Sequence, residues 1–181
     1  SSAAAAAAAP PNPASKTYLE AAAGSNRGRS RSRSRSSSSS DDESGAFQIT
    51  AHLINKGSKK IGLLLGPKAL SINKRLNGYL KALNLHGIEI DDKLIKHVDF
   101  SYNAVIKAVD EWLEMEPAID AIFSISDKCA VQIIRYLKSK KIMIPNMISV
   151  CGFGNEYTGE IVEPQLTTFD VKTREIGEAA V

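Results

Sequence analysis

An α/β fold, with a parallel sheet covered by helices on both faces, is predicted by three observations. Four short apolar runs of strand length recur across residues 61–155, and amphipathic stretches of helix length separate them. Each run is bounded by Gly, Pro, Asp or Ser. The side chains of chemical interest fall where a run gives way to a helix, and open α/β sheets hold small ligands beyond the carboxyl ends of their strands. Strands alternating with helices of this length imply a parallel sheet buried on both sides.

The elements follow in order. Asp41-Asp42-Glu43-Ser44 supplies N-capping and first-turn acids for a helix through Ile54, with Phe47, Ile49, Ala51 and Leu53 as apolar surface and Gly57 as the stop. Ile61-Gly62-Leu63-Leu64-Leu65 is the first strand, ended by Gly66-Pro67. A second helix over residues 72–85 places Leu76, Tyr79, Leu80 and Leu83 on one face. Leu94-Ile95-Lys96-His97-Val98 forms the second strand, which ends at Asp99-Phe100. Helix three covers residues 101–115, with Val105, Ala108, Val109 and Trp112 inward. The third strand, residues 118–123, ends in Ser124-Ile125-Ser126, and Asp127 caps helix four. That helix buries Ala130, Ile133, Ile134 and Leu137 and closes on Lys138 to Lys141, which suit its negative end. Met147-Ile148-Ser149-Val150-Cys151 is the fourth strand, ending at Gly152-Phe153-Gly154-Asn155. Residues 163–169 read as an extended crossing segment, and a last helix starts near Val171.

Composition narrows the function. The net charge of +3 comes largely from a basic cluster between Arg27 and Arg35, so the globular part carries no nucleic-acid footprint. Cys129 and Cys151 sit in apolar segments, outside any CxxC or Cys/His cluster, and read as buried thiols of a reducing cytoplasm. No apolar stretch is long enough to cross a membrane, and the N-terminal alanine run lacks a basic n-region. Residues 1–40 combine that run with Pro10-Pro11-Asn12-Pro13, alternating Arg-Ser and a serine run, and read as a low-complexity, disordered or foreign extension. The Arg-Ser alternation resembles tracts of RNA-processing proteins at the level of composition alone. His52, His86 and His97 are scattered and Gly62 and Gly66 form no phosphate loop, so no catalytic set, metal site or cofactor is expected and the chain is not read as an enzyme.

An ordered set of short motifs carries a family resemblance over residues 41–181. It comprises Asp41-Asp42-Glu43-Ser44-Gly45-Ala46, His52-Leu53-Ile54 with Gly57 and Ile61, and Gly66-Pro67. Arg75-Leu76-Asn77-Gly78-Tyr79, Asp120-Ala121-Ile122-Phe123 and Ser126-Asp127 with Ala130 follow. Ile144-Pro145, Ile148-Ser149-Val150-Cys151-Gly152-Phe153 and Pro164-Gln165-Leu166-Thr167-Thr168 complete it. At this spacing the chain resembles the effector-binding core of lactose-repressor/galactose-repressor transcription regulators. The resemblance implies a periplasmic-binding-protein-like fold with one subdomain (residues 41–162) nearly complete and the other largely missing. Residues 163–181 would be the crossing strand and the start of the helix returning to that second subdomain. The chain departs from the family at Ser58, where His is usual, and at Gly154, where relatives carry an Asp that accepts from effector hydroxyls.

The resemblance also implies a site. Arg75 offers a forked donor for vicinal hydroxyls or a carboxylate, although from the helix alone it reads as a surface arginine. Phe100 stacks on a ligand ring or closes the core. Ser126 faces the cleft where relatives often carry Asn, and Asp127 reads as a helix cap before it reads as a ligand group. Asn155 contacts hydroxyls through its amide or makes an Asx turn. The implied function is to sense a small sugar-like or hydroxylated metabolite for a cytoplasmic repressor. Such a repressor binds DNA through a headpiece not present in this chain and forms a homodimer, with the helices near Tyr102 and Val131 as candidate surfaces. A periplasmic sugar-binding protein of a transport system is the alternative.

Overall fold

In the computed structural model, residues 37–67, 70–154, 166–169 and 176–177 are described, all within one compact unit, Ser34–Val181. The elements are α1 (Ser37–Asn55), β1 (Ile61–Leu65), α2 (Leu70–Leu85), a 3-10 turn (Asp92–Leu94), β2 (Ile95–His97), α3 (Tyr102–Leu113) and β3 (Ala121–Ser124). α4 (Asp127–Ser139), β4 (Ser149–Phe153), β5 (Thr167–Phe169) and β6 (Ile176–Gly177) follow. The sheet order is β2-β1-β3-β4-β5-β6, and every neighbouring pair is parallel except β5–β6. Crossing of order at β1, with β2 on one side and β3 on the other, creates the switch point where such sheets open to ligands.

β1 and β3 are buried at every position, as expected of strands covered on both faces. Alternation then decides which helix each residue meets. Leu64, Ile122 and Val150 join Val105, Val109 and Trp112 of α3 and Ala130, Ile133, Ile134 and Leu137 of α4 in one core cluster. The opposite face belongs to α1 and α2. There the buried Tyr79 hydroxyl donates to Ile61 O at 2.8 Å, which satisfies the phenol in an apolar setting that raises its pKa. Trp112 likewise satisfies its indole N–H, donating to Lys93 O at 3.0 Å.

The helix ends show local causes. Gly57 (φ 101) terminates α1: its N–H donates to Ile54 O, while Ser58 N–H donates to Leu53 O, the double bond of a Schellman stop. Lys141 (φ 61) makes the same stop after α4, through Lys138 O and, from Ile142, Leu137 O.

Three expectations are corrected. α1 begins at Ser37, so Asp42 and Glu43 lie inside the helix rather than capping it. Their carboxylates are drawn across to α2, Asp42 to Arg75 and Glu43 to Lys81. Asp127 is not the cap of α4; Ser126 holds that position with extended backbone, and Asp127 is turned inward. The helix expected from Val171 is strand at Ile176–Gly177, where Phe169 pairs with Ile176 and Thr168 with Gly177, covering backbone groups that β5 would otherwise leave open. The rest of that helix, like nearly all of residues 1–40, lies outside the described residues.

Candidate functional site

The carboxyl ends of β3 and β4 converge on the Arg75 guanidinium. Arg75 is on α2, the helix that follows β1. Its Nε and Nη2 both lie 3.0 Å from Asp42 Oδ1, and its Nη1 donates to Ile125 O at 2.8 Å. The guanidinium carbon stands 4.1 Å from the centroid of the Phe153 ring, within cation–π range. Phe153 is itself held between Phe169, at 5.3 Å, and Phe123, at 6.4 Å. One side chain thus ties α1, α2, the β3–α4 loop and the end of β4 at a single point. Its exposure is 20 % and that of Asp42 13 %, so the pair is neither solvated nor sealed off. Two of the five guanidinium N–H donors make hydrogen bonds, Nε to Asp42 and Nη1 to Ile125 O, and Nη2 stands in ion-pair contact with Asp42, which leaves donor capacity on both Nη atoms among the described residues.

Phe100 stands at the end of β2, 38 % exposed, with a positive φ of 64°. Left-handed backbone is uncommon for an aromatic residue and points to a position held by its surroundings. The ring lies over Gly66, where a Cβ would come within 2.6 Å of Phe100 Cε2, so the glycine that ends β1 makes room for it. Asp99 accepts from Ser101 N–H at 3.0 Å, and the Ser101 hydroxyl first, with this N–H second, holds its carboxyl below the usual range. Ser101 in turn caps α3, accepting from Ala104 N–H at 3.3 Å.

Ser126 lies on the same edge. Its N–H donates to Ser124 Oγ at 3.4 Å, its carbonyl accepts from Ser124 Oγ at 2.9 Å, and its side chain makes no capping bond. Asp127 goes the other way. It is fully buried and accepts from Thr168 Oγ1 at 2.7 Å. Gly152 gives it space, because a Cβ there would collide with the carboxylate and lie 2.9 Å from Leu166 Cδ2. Asp127 therefore joins α4 to β5 beneath the edge. Asn155 lies outside the described residues; Gly154 before it has a φ of 128°.

The structure brings Arg75, Phe100 and Ser126 to one edge of the sheet and withdraws Asp127 from it. Asp42 and Phe153 belong to the same constellation, and sequence reasoning gave them no site role. Two shallow depressions lie at the opposite, amino ends of the strands, one lined by Ile54, Ser58, Lys59 and His86, the other by Lys141, Met143 and Asn146. Among the described residues no group of three or more His, Cys, Asp or Glu could hold a metal ion, and no helix is long and apolar enough to cross a membrane.

A parallel sheet of this order with helices on both faces defines a class: α/β domains of the periplasmic-binding-protein type. The family model described as the periplasmic binding protein-like domain matches residues 50–181, and the chain belongs to that family, in the form carried by LacI-type transcription regulators. The regulator CelR of Thermobifida fusca is 31 % identical over 138 residues, covering 76 % of this chain and 41 % of that protein. The repressor CytR of Escherichia coli K12 is 32 % identical over 142 residues, covering 78 % and 42 %. Among solved structures, a CelR–cellobiose complex superposes with a TM-score of 0.67 at 31 % identity, covering 72 % of this chain and 40 % of that one. The Escherichia coli repressor AscG gives 0.65 at 28 %, covering 74 % and 50 %. The chain spans less than half the length of these curated relatives. These relatives are named as transcription regulators, which does not favour the transport alternative.

Proposed function

We propose that this chain is the effector-sensing domain of a cytoplasmic LacI-type transcription regulator and that its carboxyl edge binds a small hydroxylated metabolite. The observation that carries this reading is the Arg75 guanidinium. It is stacked on Phe153, anchored by Asp42 and Ile125 O, and, among the described residues, retains donor capacity on both Nη atoms at the switch point of the sheet. Phe100 would lie against a sugar ring or base, and Ser126 and Asn155 would meet hydroxyls. Asp127 would support the edge from below by holding β5. With Gly154 in place of an acidic acceptor, the effector leans more on Ser126 and Asn155 than it does in relatives that carry Asp there.

As in the regulators it resembles, the domain would bind its metabolite without transforming it. In the intact regulator, effector binding would shift the balance between two arrangements that differ in DNA affinity, and the regulator would act as a homodimer. Such a shift requires different effector affinities in the two arrangements. Cellobiose is bound by one structural relative, so β-linked glucose disaccharides belong in the first panel of ligands, beside monosaccharides and nucleosides. Calorimetric titration of the full-length regulator tests the reading. Arg75→Ala is expected to weaken binding of the panel's best ligand about ten- to a hundredfold, the effect of losing a partly buried charge-assisted hydrogen bond. Unchanged affinity, with the fold intact by circular dichroism, removes Arg75 from the site.

A further inference from the structure

We infer that Asp42 makes this edge selective for uncharged polyhydroxyl ligands and turns away anionic ones. The inference rests on the effector-site reading above and adds the chemical class of ligand to it. An arginine with an open fork is a general receptor for carboxylates and phosphates, because its charge and paired N–H groups match those anions. Here the charge already has its partner. Asp42 Oδ1 sits 3.0 Å from both Nε and Nη2, which occupies the side-on edge of the guanidinium. The pair is mostly shielded from water, so the Asp42 charge acts at close range with little screening. One face of the guanidinium plane is closed by Phe153, and Nη1 is further engaged by Ile125 O.

What remains, among the described residues, is donor capacity on both Nη atoms, attached to a charge-compensated group. Such donors suit the lone pairs of a hydroxyl, which bring no charge of their own. A carboxylate or phosphate at the same donors would also face the Asp42 carboxylate across the guanidinium, and that repulsion works against the attraction. Asp99, next to Phe100 in the chain, places a second acid at this edge. Asp42 is therefore a specificity-determining residue that acts through Arg75.

The test needs no knowledge of the natural effector. The full chain, labelled with nitrogen-15, is titrated with sodium sulfate and with sodium glucuronate, each against sodium chloride at equal ionic strength. The signal of the Arg75 Nε–H, identified by its loss in Arg75→Lys, reports the outcome. The wild-type signal is expected to show no saturable response to either anion. Asp42→Asn keeps the shape and an acceptor for Nε–H but removes the charge, and its response to both anions is expected to saturate at concentrations at least about tenfold lower than any wild-type response. Asp42→Ser serves as the second variant if the asparagine form does not fold. A saturable wild-type response matching the variant's, or a folded variant with no gain, overturns the inference. Failure of the site reading shows itself separately, as unchanged sugar binding in Arg75→Ala.

Discussion

At the scale of single residues, the structure uses charged side chains as ties between elements that are distant in sequence. Asp110 on α3 accepts from the Tyr136 hydroxyl of α4 at 2.5 Å and pairs with Lys140 at 2.9 Å. The tyrosine hydrogen bond first, and the lysine second, hold the Asp110 carboxyl below its ordinary value, and the tyrosine and the acid together push the Lys140 ammonium up. A carboxyl depressed in the folded state stabilises above its unfolded pKa of about 3.9, and the contribution is lost as pH falls through the folded value. Tyr136→Phe removes the largest cause of the depression. The variant is therefore expected to be less stable than wild type at pH 7 and to lose that deficit progressively as pH falls below about 3.9, as measured by urea denaturation at pH 7 and in acid. An equal deficit at both would show that the hydroxyl acts through packing alone. The thiol of Cys151 illustrates the converse: burial alone pushes its pKa up to about 12, so it stays a protonated, inert core group.

At the scale of elements, α1 and α2 cross so closely that backbone approaches backbone. A Cβ at Gly78 would collide with the carbonyl of Glu43 and lie 2.8 Å from Phe47 N, neither of which can swing away as a side chain could. Gly78→Ala, normally favourable within a helix, is here expected to destabilise by about 1–3 kcal/mol through overpacking, read as a lower urea midpoint. A neutral or stabilising effect would mean that the two helices separate freely. The strands were legible in sequence because a covered parallel strand has to be apolar throughout, as Ile61–Leu65 is. The start of α1 was not, because its first turn is a run of serine, which carries neither apolar period nor helix propensity. Asp127 was misplaced for a related reason. An acid at a strand-to-helix junction has the signature of a cap, and only the position of Thr168, forty-one residues on, shows that it faces inward. Of the residues the sequence put forward for a site, Arg75, Phe100 and Ser126 share the edge. Asp42 and Phe153 escaped, since an acid thirty-three residues before its arginine and an aromatic inside a buried strand leave no local pattern.

At the scale of the molecule, the parallel sheet separates two tasks. Its carboxyl edge gathers the groups proposed to face a ligand, while its amino edge is closed by the Asp120 carboxylate, which accepts from Lys59 N–H at 2.7 Å and Lys60 N–H at 3.1 Å. The outer surface of α3 and α4 is the surface proposed for assembly. Tyr102 opens α3 with 54 % of its surface exposed, directly after the Ser101 cap and close in sequence to Phe100 at the ligand edge. A stable interface needs about 800 Å² from each partner and concentrates its energy in a few aromatic anchors. A tyrosine in that position would link the dimer to the same loop that carries Phe100, so effector and partner would act on one short segment. If α3 forms the dimer surface, Tyr102→Glu places an unpaired charge in it and is expected to weaken association about tenfold or more in the full-length regulator, seen by sedimentation velocity across a dilution series. An unchanged dimer population in the glutamate variant, with ligand affinity also unchanged, would place the assembly surface elsewhere on the chain.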